Sequence, residues 1–300
     1  MGATLPGLRR GADAGPGQAK VSSMNPRLHA LGAADRDSAL DFLARSPVEN
    51  LFLSSKVDAY GIDRRRLGKL YAFERDGQIA SILLDGGTVF VAGFDPDALP
   101  LFVNQLGPIR RCTSILGPAI SVLGLFIGLA ERWRGAWGSI SNVRSRQPLM
   151  LLEAPPEPTP DPRVRRLTVD DYPSYLDASV AMYTDEIGSS PFKYGPGYER
   201  FVMQRLRAGE AYGIVEDGRV IFKADLGPKL GGQAQLQGVW VSPDLRGQGI
   251  SVPALSGMLR LAMEEFPTIS LYVNDFNTPA IKAYEKLGFV EVGALATVHY

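Results

Sequence analysis

Residues 244–251 read DLRGQGIS, and this stretch decides how the second half of the chain is interpreted. It follows the apolar run GVWV, residues 238–241, and precedes a helical pattern that begins at Ser251. Where a strand, a glycine-containing turn and a helix follow one another, the first amides of the helix have no hydrogen-bond partners, and the helix dipole adds a positive potential at the same place. Such a corner suits an anion, and phosphate above all. The alternative is an ordinary strand-to-helix turn, which these residues alone do not exclude.

Two other phosphate-binding motifs do not fit these residues. A nucleotide-hydrolysing P-loop requires Gly-Lys followed by Ser or Thr, whereas Gln248 and Ile250 follow the two glycines here. A dinucleotide-binding fold requires the spacing Gly-x-Gly-x-x-Gly, and only one Gly-x-Gly is present in this stretch. Arg246 adds a charged donor beside the turn.

The stretch resembles the signature Gln/Arg-x-x-Gly-x-Gly/Ala of the GNAT superfamily of acyl-CoA-dependent N-acyltransferases. Residues 246–251 match it, except that Ser251 replaces the final glycine or alanine. A second stretch, NDFNTPAIKAYEKLGF at residues 274–289, resembles the family's Asn-x-x-Ala-x-x-x-Tyr-x-x-x-Gly-Phe block. The resemblance covers residues 163–300. More loosely, the whole chain resembles tandem bacterial GNAT proteins whose first lobe is degenerate.

The resemblance implies a fold of class α/β (α+β) with two tandem GNAT-like acyl-CoA N-acyltransferase folds. Each would be a mixed, mostly antiparallel sheet flanked by helices. The resemblance also implies acetyl-CoA as the co-substrate, without a metal. The implied coenzyme-binding residues lie on a strand end, the turn after it and a later helix: Val239, Trp240, Val241, Arg246, Gly247, Gln248, Gly249, Ile250, Ser251, Asn277, Ala280 and Tyr284.

Each group of these residues has an implied role. The amides of residues 248–251 would hold the pyrophosphate. Main-chain groups of Val239 and Val241 would pair with the pantetheine arm, and the Val241 amide would polarise the acetyl carbonyl. Asn277 would bind the coenzyme arm, and Tyr284 would protonate the leaving thiolate. A phenol with a pKa of ~10 suits a thiolate of comparable basicity, although Tyr284 as a helix residue packed on the sheet is the alternative.

The general base is left open by the sequence. Many relatives carry a glutamate on the fourth strand, where this chain has Gln235 and Gln237, which accept no proton. The alternatives are a chain of waters or a base elsewhere, for which the candidates are two acids in the segment YTDEIGSSPF and two groups at the end of the chain: Asp185, Glu186, His299 and the terminal carboxylate of Tyr300. Asp185 and Glu186, which lie among aromatic residues, are also candidates for binding a cationic acceptor amine. A solvated helix end is the alternative for that segment.

Composition excludes several classes of function. Lysine plus arginine equals aspartate plus glutamate, 32 each, so no overall positive charge favours nucleic acid or an anionic membrane. Cys112 is the single cysteine and there are two histidines, which excludes an intramolecular disulfide and disfavours a metal site. These features fit a cytoplasmic location. The most apolar segment, residues 115–130, is shorter than the ~18–20 residues that span a bilayer and predicts a turn followed by a buried helix.

A proline-rich stretch divides the chain into two halves. EAPPEPTPDP, residues 153–162, contains five prolines and predicts an extended linker. Residues 1–24 predict a disordered tail, with Met1 and Met24 both standing as candidate starts. The predicted lobes are residues 25–152, degenerate, and residues 163–300, catalytic. The two lobes show a similar order of predicted strands and helices, and the first lobe has LGPAIS where the second has its glycine-containing turn.

The sequence thus predicts an acyltransferase that moves an acetyl group from acetyl-CoA to a primary amine of a small molecule or a protein, by direct attack in a ternary complex. The alternative is a non-catalytic acyl-CoA-binding regulatory module. No nucleic acid or membrane partner is expected. Neither the acceptor nor the oligomeric state follows from the sequence.

Overall fold

Two runs of strands and helices follow one another in the computed structural model, which describes residues 26–195 and 197–300. The predicted disordered tail, residues 1–24, lies outside the described residues. The first run consists of β1 (Arg27–Ala30), α1 (Arg36–Leu43), α2 (Pro47–Tyr60), β2 (Lys69–Arg75), β3 (Gln78–Asp85), β4 (Thr88–Ala92), α3 (Ala98–Leu106), β5 (Ser114–Pro118), α4 (Ala119–Gly138) and β6 (Asn142–Leu152). The second consists of β7 (Arg165–Arg166), α5 (Tyr172–Ile187), α6 (Gly197–Arg207), β8 (Ala211–Glu216), β9 (Arg219–Leu230), β10 (Gln233–Val241), α7 (Ser251–Met263), β11 (Thr268–Tyr272), α8 (Thr278–Lys286) and β12 (Val290–His299). The two runs have the same order of elements, as the sequence predicted.

The strands of the described residues form one mixed sheet in the order β1-β2-β3-β4-β5-β12-β6-β11-β10-β9-β8-β7. In each half, four strands form an antiparallel meander whose last member pairs in parallel with the fifth strand of that half. Asp-Gly turns connect two hairpins, at Asp76-Gly77 between β2 and β3 and at Asp217-Gly218 between β8 and β9, and both residues of each turn have positive φ, as Asp-Gly turns favour. The predicted α/β class with a mostly antiparallel sheet is confirmed.

The two halves exchange their last strands. Strand β12, from the end of the chain, lies between β5 and β6 of the first half and is antiparallel to both. Strand β6 lies between β12 and β11, so that it lines the second half. The linker therefore divides the sequence, whereas the sheet continues across both halves.

Helices cover both faces of the sheet and bury its apolar side chains. In the second half, α7 packs against the sheet through four of the positions that the helical spacing predicts, namely Leu255, Met258, Leu259 and Ala262. Helices α5 and α6 cover the opposite face around Tyr175, Val202 and Trp240. None of the helices within the described ranges combines the length and apolarity that a bilayer crossing requires.

The predicted linker packs against α7 instead of standing free. The carbonyls of Pro156 and Pro158 accept hydrogen bonds from the Arg260 guanidinium and the Ser256 hydroxyl, and the Asp161 amide donates to the Pro253 carbonyl at 2.9 Å. Proline carbonyls remain available as acceptors although proline has no amide donor. These bonds fix the path between the halves.

Two predictions about the first half require correction. Residues 115–118, expected as a turn before a buried helix, belong to strand β5, because they pair with β4 and β12. LGPAIS, residues 116–121, is therefore the β5–α4 junction and not the counterpart of the glycine-containing turn. The true counterpart is the β4–α3 connection, residues 93–97.

Candidate active site

The connection between β10 and α7 has the geometry of an anion site. Gly247 and Gly249 have φ of +77° and +79°, a conformation that favours glycine. Within the described part of the chain, the amides of residues 247–250 donate no hydrogen bond. The Gln248 side chain donates to the Asp244 carbonyl at 2.9 Å and so braces the loop. The loop therefore presents free main-chain donors at the start of a helix of 13 residues.

Strands β10 and β11 diverge next to this loop. Their parallel pairing runs only from Gln233–Thr268 to Gln235–Ser270, after which the strands separate. A cavity of about 980 Å³ lies in the opening, and Val239, Trp240 and Val241 line it. The opening therefore lies at the residues where the pantetheine arm was expected.

Most of the predicted coenzyme-binding residues line this one cavity. Besides the residues of β10, they are Arg246, Gly247, Gly249, Ile250, Ser251, Asn277, Ala280 and Tyr284. Gln248 does not line it. Asn277 also has a structural role, because its side chain caps α8 by accepting a hydrogen bond from the Ala280 amide at 3.3 Å.

Tyr284 lies on α8 with 8% of its surface exposed, at the wall of the cavity. Its ring packs edge-on against Phe289, with the centroids 5.8 Å apart. Burial, and secondarily the negative charge of Glu186, raises the pKa of Tyr284 to about 12. The phenol is protonated at neutral pH, and its raised pKa makes it a weaker acid than the free phenol on which the sequence prediction was based.

Both acids of the segment YTDEIGSSPF line the cavity, and both are paired with arginines. Asp185 Oδ2 lies 2.7 Å from Arg246 Nη2, across the opening from α5 to the loop. Glu186 Oε1 lies 3.0 Å from Arg144 Nη1. A cationic amine that binds either carboxylate would therefore compete with the arginine that already contacts it.

The remaining candidates for the general base lie away from the cavity wall. The ring of Tyr300 packs edge-on against Trp137 and under Arg110 in the first half. His299 is on β12, and burial, together with the charge of Arg144, lowers its pKa. Gln237 lines the cavity, whereas neither Tyr300 nor His299 does.

The first half contributes residues that the sequence analysis missed. Asn142, Arg144 and Gln147, all on β6, line the cavity of the second half. Gln147 Nε2 donates to Asn274 Oδ1 at 3.0 Å, and its Oε1 accepts from the Thr297 hydroxyl at 2.6 Å. No motif marks these residues, and only the exchanged strand brings them to the site.

A buried polar cluster under β10 was also missed. Lys223 Nζ lies 2.6 Å from Asp225 Oδ2, and Tyr175 Oη donates to Asp225 Oδ1 at 2.8 Å. Burial is the largest effect on Lys223 and lowers its pKa, although Asp225 opposes the shift. A lysine and an aspartate two positions apart in an otherwise apolar strand are the sequence signal that could have revealed the cluster.

The counterpart of the anion loop in the first half is filled by carboxylates. Arg75 donates to both oxygens of Asp95 at 3.0 and 2.9 Å and to Asp97 Oδ2 at 2.7 Å. The Asp95 carboxylate in turn accepts the Asp97 amide at 2.9 Å. The Arg75 hydrogen bonds hold the pKa of Asp95 below its usual value. In residues 26–195 and 197–300, no three His, Cys, Asp or Glu side chains are grouped to hold a metal.

Comparisons with known proteins agree with this geometry. Residues 170–289 match the acetyltransferase (GNAT) family, and residues 68–175 match a domain of unknown function, DUF4081. No curated protein matches the chain.

Several solved structures are similar over nearly the whole chain. A GCN5-related N-acetyltransferase from Sphaerobacter thermophilus is 15% identical with a TM-score of 0.61, over 92% of this chain and 95% of that one. A tandem GNAT protein from the clavulanic acid biosynthesis pathway is 14% identical with a TM-score of 0.51, over 92% and 98%. An acetyltransferase of the GNAT family from Colwellia psychrerythraea is 13% identical with a TM-score of 0.53, over 91% and 99%. Because these sequence identities are so low, the similarity shows a shared fold alone.

Proposed function

Since residues 170–289 belong to the acetyltransferase (GNAT) family and the chain is an acyltransferase, we propose that it transfers an acetyl group from acetyl-CoA to a primary amine by direct attack in a ternary complex. The single observation that carries this proposal is the cavity between the diverging strands β10 and β11, which ends at the free amides of residues 247–250. A diphosphate at those amides would direct the rest of the coenzyme into the opening.

Arg246, beside the loop, is the cation of the cavity lining that supports an anionic coenzyme. The other cationic side chains of the lining are nearly buried and each is paired with a carboxylate, namely Arg144, Arg205 and Lys223. The Arg246–Asp185 pair beside the loop is about half exposed. Exposed ion pairs contribute little to stability, so a phosphate can compete for this arginine.

The chemistry requires a neutral amine, a polarised carbonyl and an acid for the departing thiolate. The nitrogen forms a bond to the acetyl carbon and loses one proton to solvent, the carbon–sulfur bond breaks, and the thiolate takes a proton from the acid, which solvent then reprotonates. We assign the proton donor to Tyr284, since its phenol is protonated and lines the cavity. The Val241 amide is the proposed donor to the carbonyl oxygen.

Release of free thiol from acetyl-CoA in the presence of a panel of primary amines tests the proposal. Tyr284→Phe should lower kcat about 10²- to 10⁴-fold, the usual contribution of a general acid. It should change the affinity for CoA, measured by calorimetry, by less than about 3-fold, because the ring remains. Tyr212→Phe is the matched control, since Tyr212 is buried on β8 outside the cavity.

Two results would contradict the proposal. If Tyr284→Phe retains wild-type turnover, Tyr284 is not the acid. If the wild-type protein binds CoA but cleaves the thioester with none of the amines, the non-catalytic acyl-CoA-binding module is favoured instead.

A further inference from the structure

Lys223 is a lysine without solvent contact, and its ammonium group contacts three acceptors. Its side chain is 0% exposed. Besides Asp225 Oδ2, Nζ contacts the Gly238 carbonyl at 2.9 Å and Met182 Sδ at 3.5 Å. Asp225 is also buried, with 6% of its side chain exposed, and Tyr175 completes its hydrogen bonding. All three ammonium hydrogens therefore have an acceptor inside the protein.

The Gly238 carbonyl belongs to a bulge in β10. Between Gln237 and Trp240 the strand carries one more residue than β9 does between Asp225 and Lys223, their partners. Gly238 has φ of +60°, and an added Cβ would lie 2.5 Å from Asp225 Oδ2 and 3.0 Å from Lys223 Nζ. The ion pair and the bulge are therefore packed directly against each other, with no space for a side chain between them.

The bulge lies where β10 leaves β11. The parallel pairing of the two strands ends at Gln235, and the residues after the bulge, Val239 to Val241, line the cavity. The direction of their main-chain groups depends on how far the bulge turns the strand. The hydrogen bond from Lys223 Nζ to the Gly238 carbonyl holds the bulge in this conformation.

We propose that the Lys223–Asp225 pair positions the catalytic strand, holding the Gly238 carbonyl so that the main-chain groups of Val239 and Val241 point into the coenzyme cleft. This inference rests on the proposed acetyl transfer. Lys223 acts through the backbone and touches no substrate, because it has no exposed surface. Stability alone does not account for a buried ion pair, since well-packed apolar residues of similar volume often stabilise a fold as much.

The test is a paired apolar replacement, Lys223→Met with Asp225→Leu, because removing one partner alone would leave a buried unpaired charge. We expect the double variant to fold, with a thermal midpoint a few degrees below that of the wild type because the buried Tyr175 hydroxyl loses its acceptor, and to bind CoA within about 3-fold. Its kcat should fall by about 10- to 100-fold, as for a misaligned carbonyl donor. Lys229→Met is the control, since Lys229 lies on the same strand and pairs with Glu210 at the surface.

A crystal structure of the double variant gives a readout that does not depend on activity. We expect the register between Gln237 and Trp240 to lose its extra residue, or the Gly238 carbonyl to rotate away. An unchanged bulge, or an unchanged kcat in a folded double variant, would overturn the proposal. If the bulge is lost but the wild-type protein acetylates no amine, the positioning role stands and the proposed function fails.

Discussion

Gln147 connects the exchanged strands to the candidate site, and its replacement by methionine tests that connection. The side chain is 2% exposed, and methionine has a similar volume, so that the cost arises mainly from lost hydrogen bonds. The Thr297 hydroxyl, on a residue 6% exposed, would lose its partner, at a cost of about 1–3 kcal/mol. Asn274 borders the cavity and can bond to water, so its loss amounts to about 0.5–1.5 kcal/mol. Gln147→Met should therefore destabilise the fold by about 1.5–4.5 kcal/mol.

Urea denaturation followed by circular dichroism measures this cost. Adding Thr297→Val to Gln147→Met should recover about 1 kcal/mol or more, because the unpaired hydroxyl is removed along with its partner. Gln78→Met, at an exposed position of β3, is the control and should change stability by less than about 0.5 kcal/mol. The reasoning is refuted if Gln147→Met costs less than about 0.5 kcal/mol and the effects of Thr297→Val are additive.

Two further predictions concern charges at the cavity. Arg246→Met should raise the KM for acetyl-CoA about 3- to 30-fold, because a charged donor beside the loop is lost. Asp185→Asn should lower this KM, because it frees Arg246. Steady-state kinetics at fixed ionic strength checks both directions. Burial raises the pKa of Tyr284 to about 12, against 10.0 for a free phenol. The neutral phenol therefore stabilises the fold fully below pH 10, and this stabilisation is lost as the pH rises through 12. The free energy of unfolding of the wild type relative to Tyr284→Phe should therefore fall by roughly 1 kcal/mol from pH 9 to pH 11 in urea denaturation. A constant difference would contradict this prediction.

Local chemistry made much of the second half predictable. The residues of DLRGQGIS combine a strand end, glycines that favour positive φ and a helix start, and all three signals lie within a few positions of each other. The block at residues 274–289 likewise predicted α8 and its glycine end, where Gly288 has φ of +95°. Such features depend on neighbours in sequence, which is why the loop and Tyr284 could be identified before the fold was known.

Non-local pairing was not predictable in the same way. The residues of β12 indicate a strand but not which strands it pairs with, and its buried positions, residues 295–298, lie on both faces of the sheet. Arg144 and Gln147 reach the cavity only because β6 was exchanged, so no local signal marked them. Helix α2 has a weak sequence signal for another reason: Asn50 and Ser54 are buried on its inner face and interrupt the apolar stripe. Asn50 Nδ2 donates to the Leu43 carbonyl at 3.0 Å.

The asymmetry between the halves follows from one electrostatic principle. A strand-to-helix connection presents unpaired amides and a positive helix end, which an anion, a side-chain acceptor or water satisfies. In the second half the loop leaves its amides open to the proposed diphosphate. In the first half Asp95 accepts an amide of the same connection, Arg75 neutralises it, and a phosphate there would meet two carboxylates. The first half therefore supplies its own anion, the Asp95 carboxylate. Its contribution to the candidate site is strand β6, whose residues Asn142, Arg144 and Gln147 line the same cavity as Tyr284.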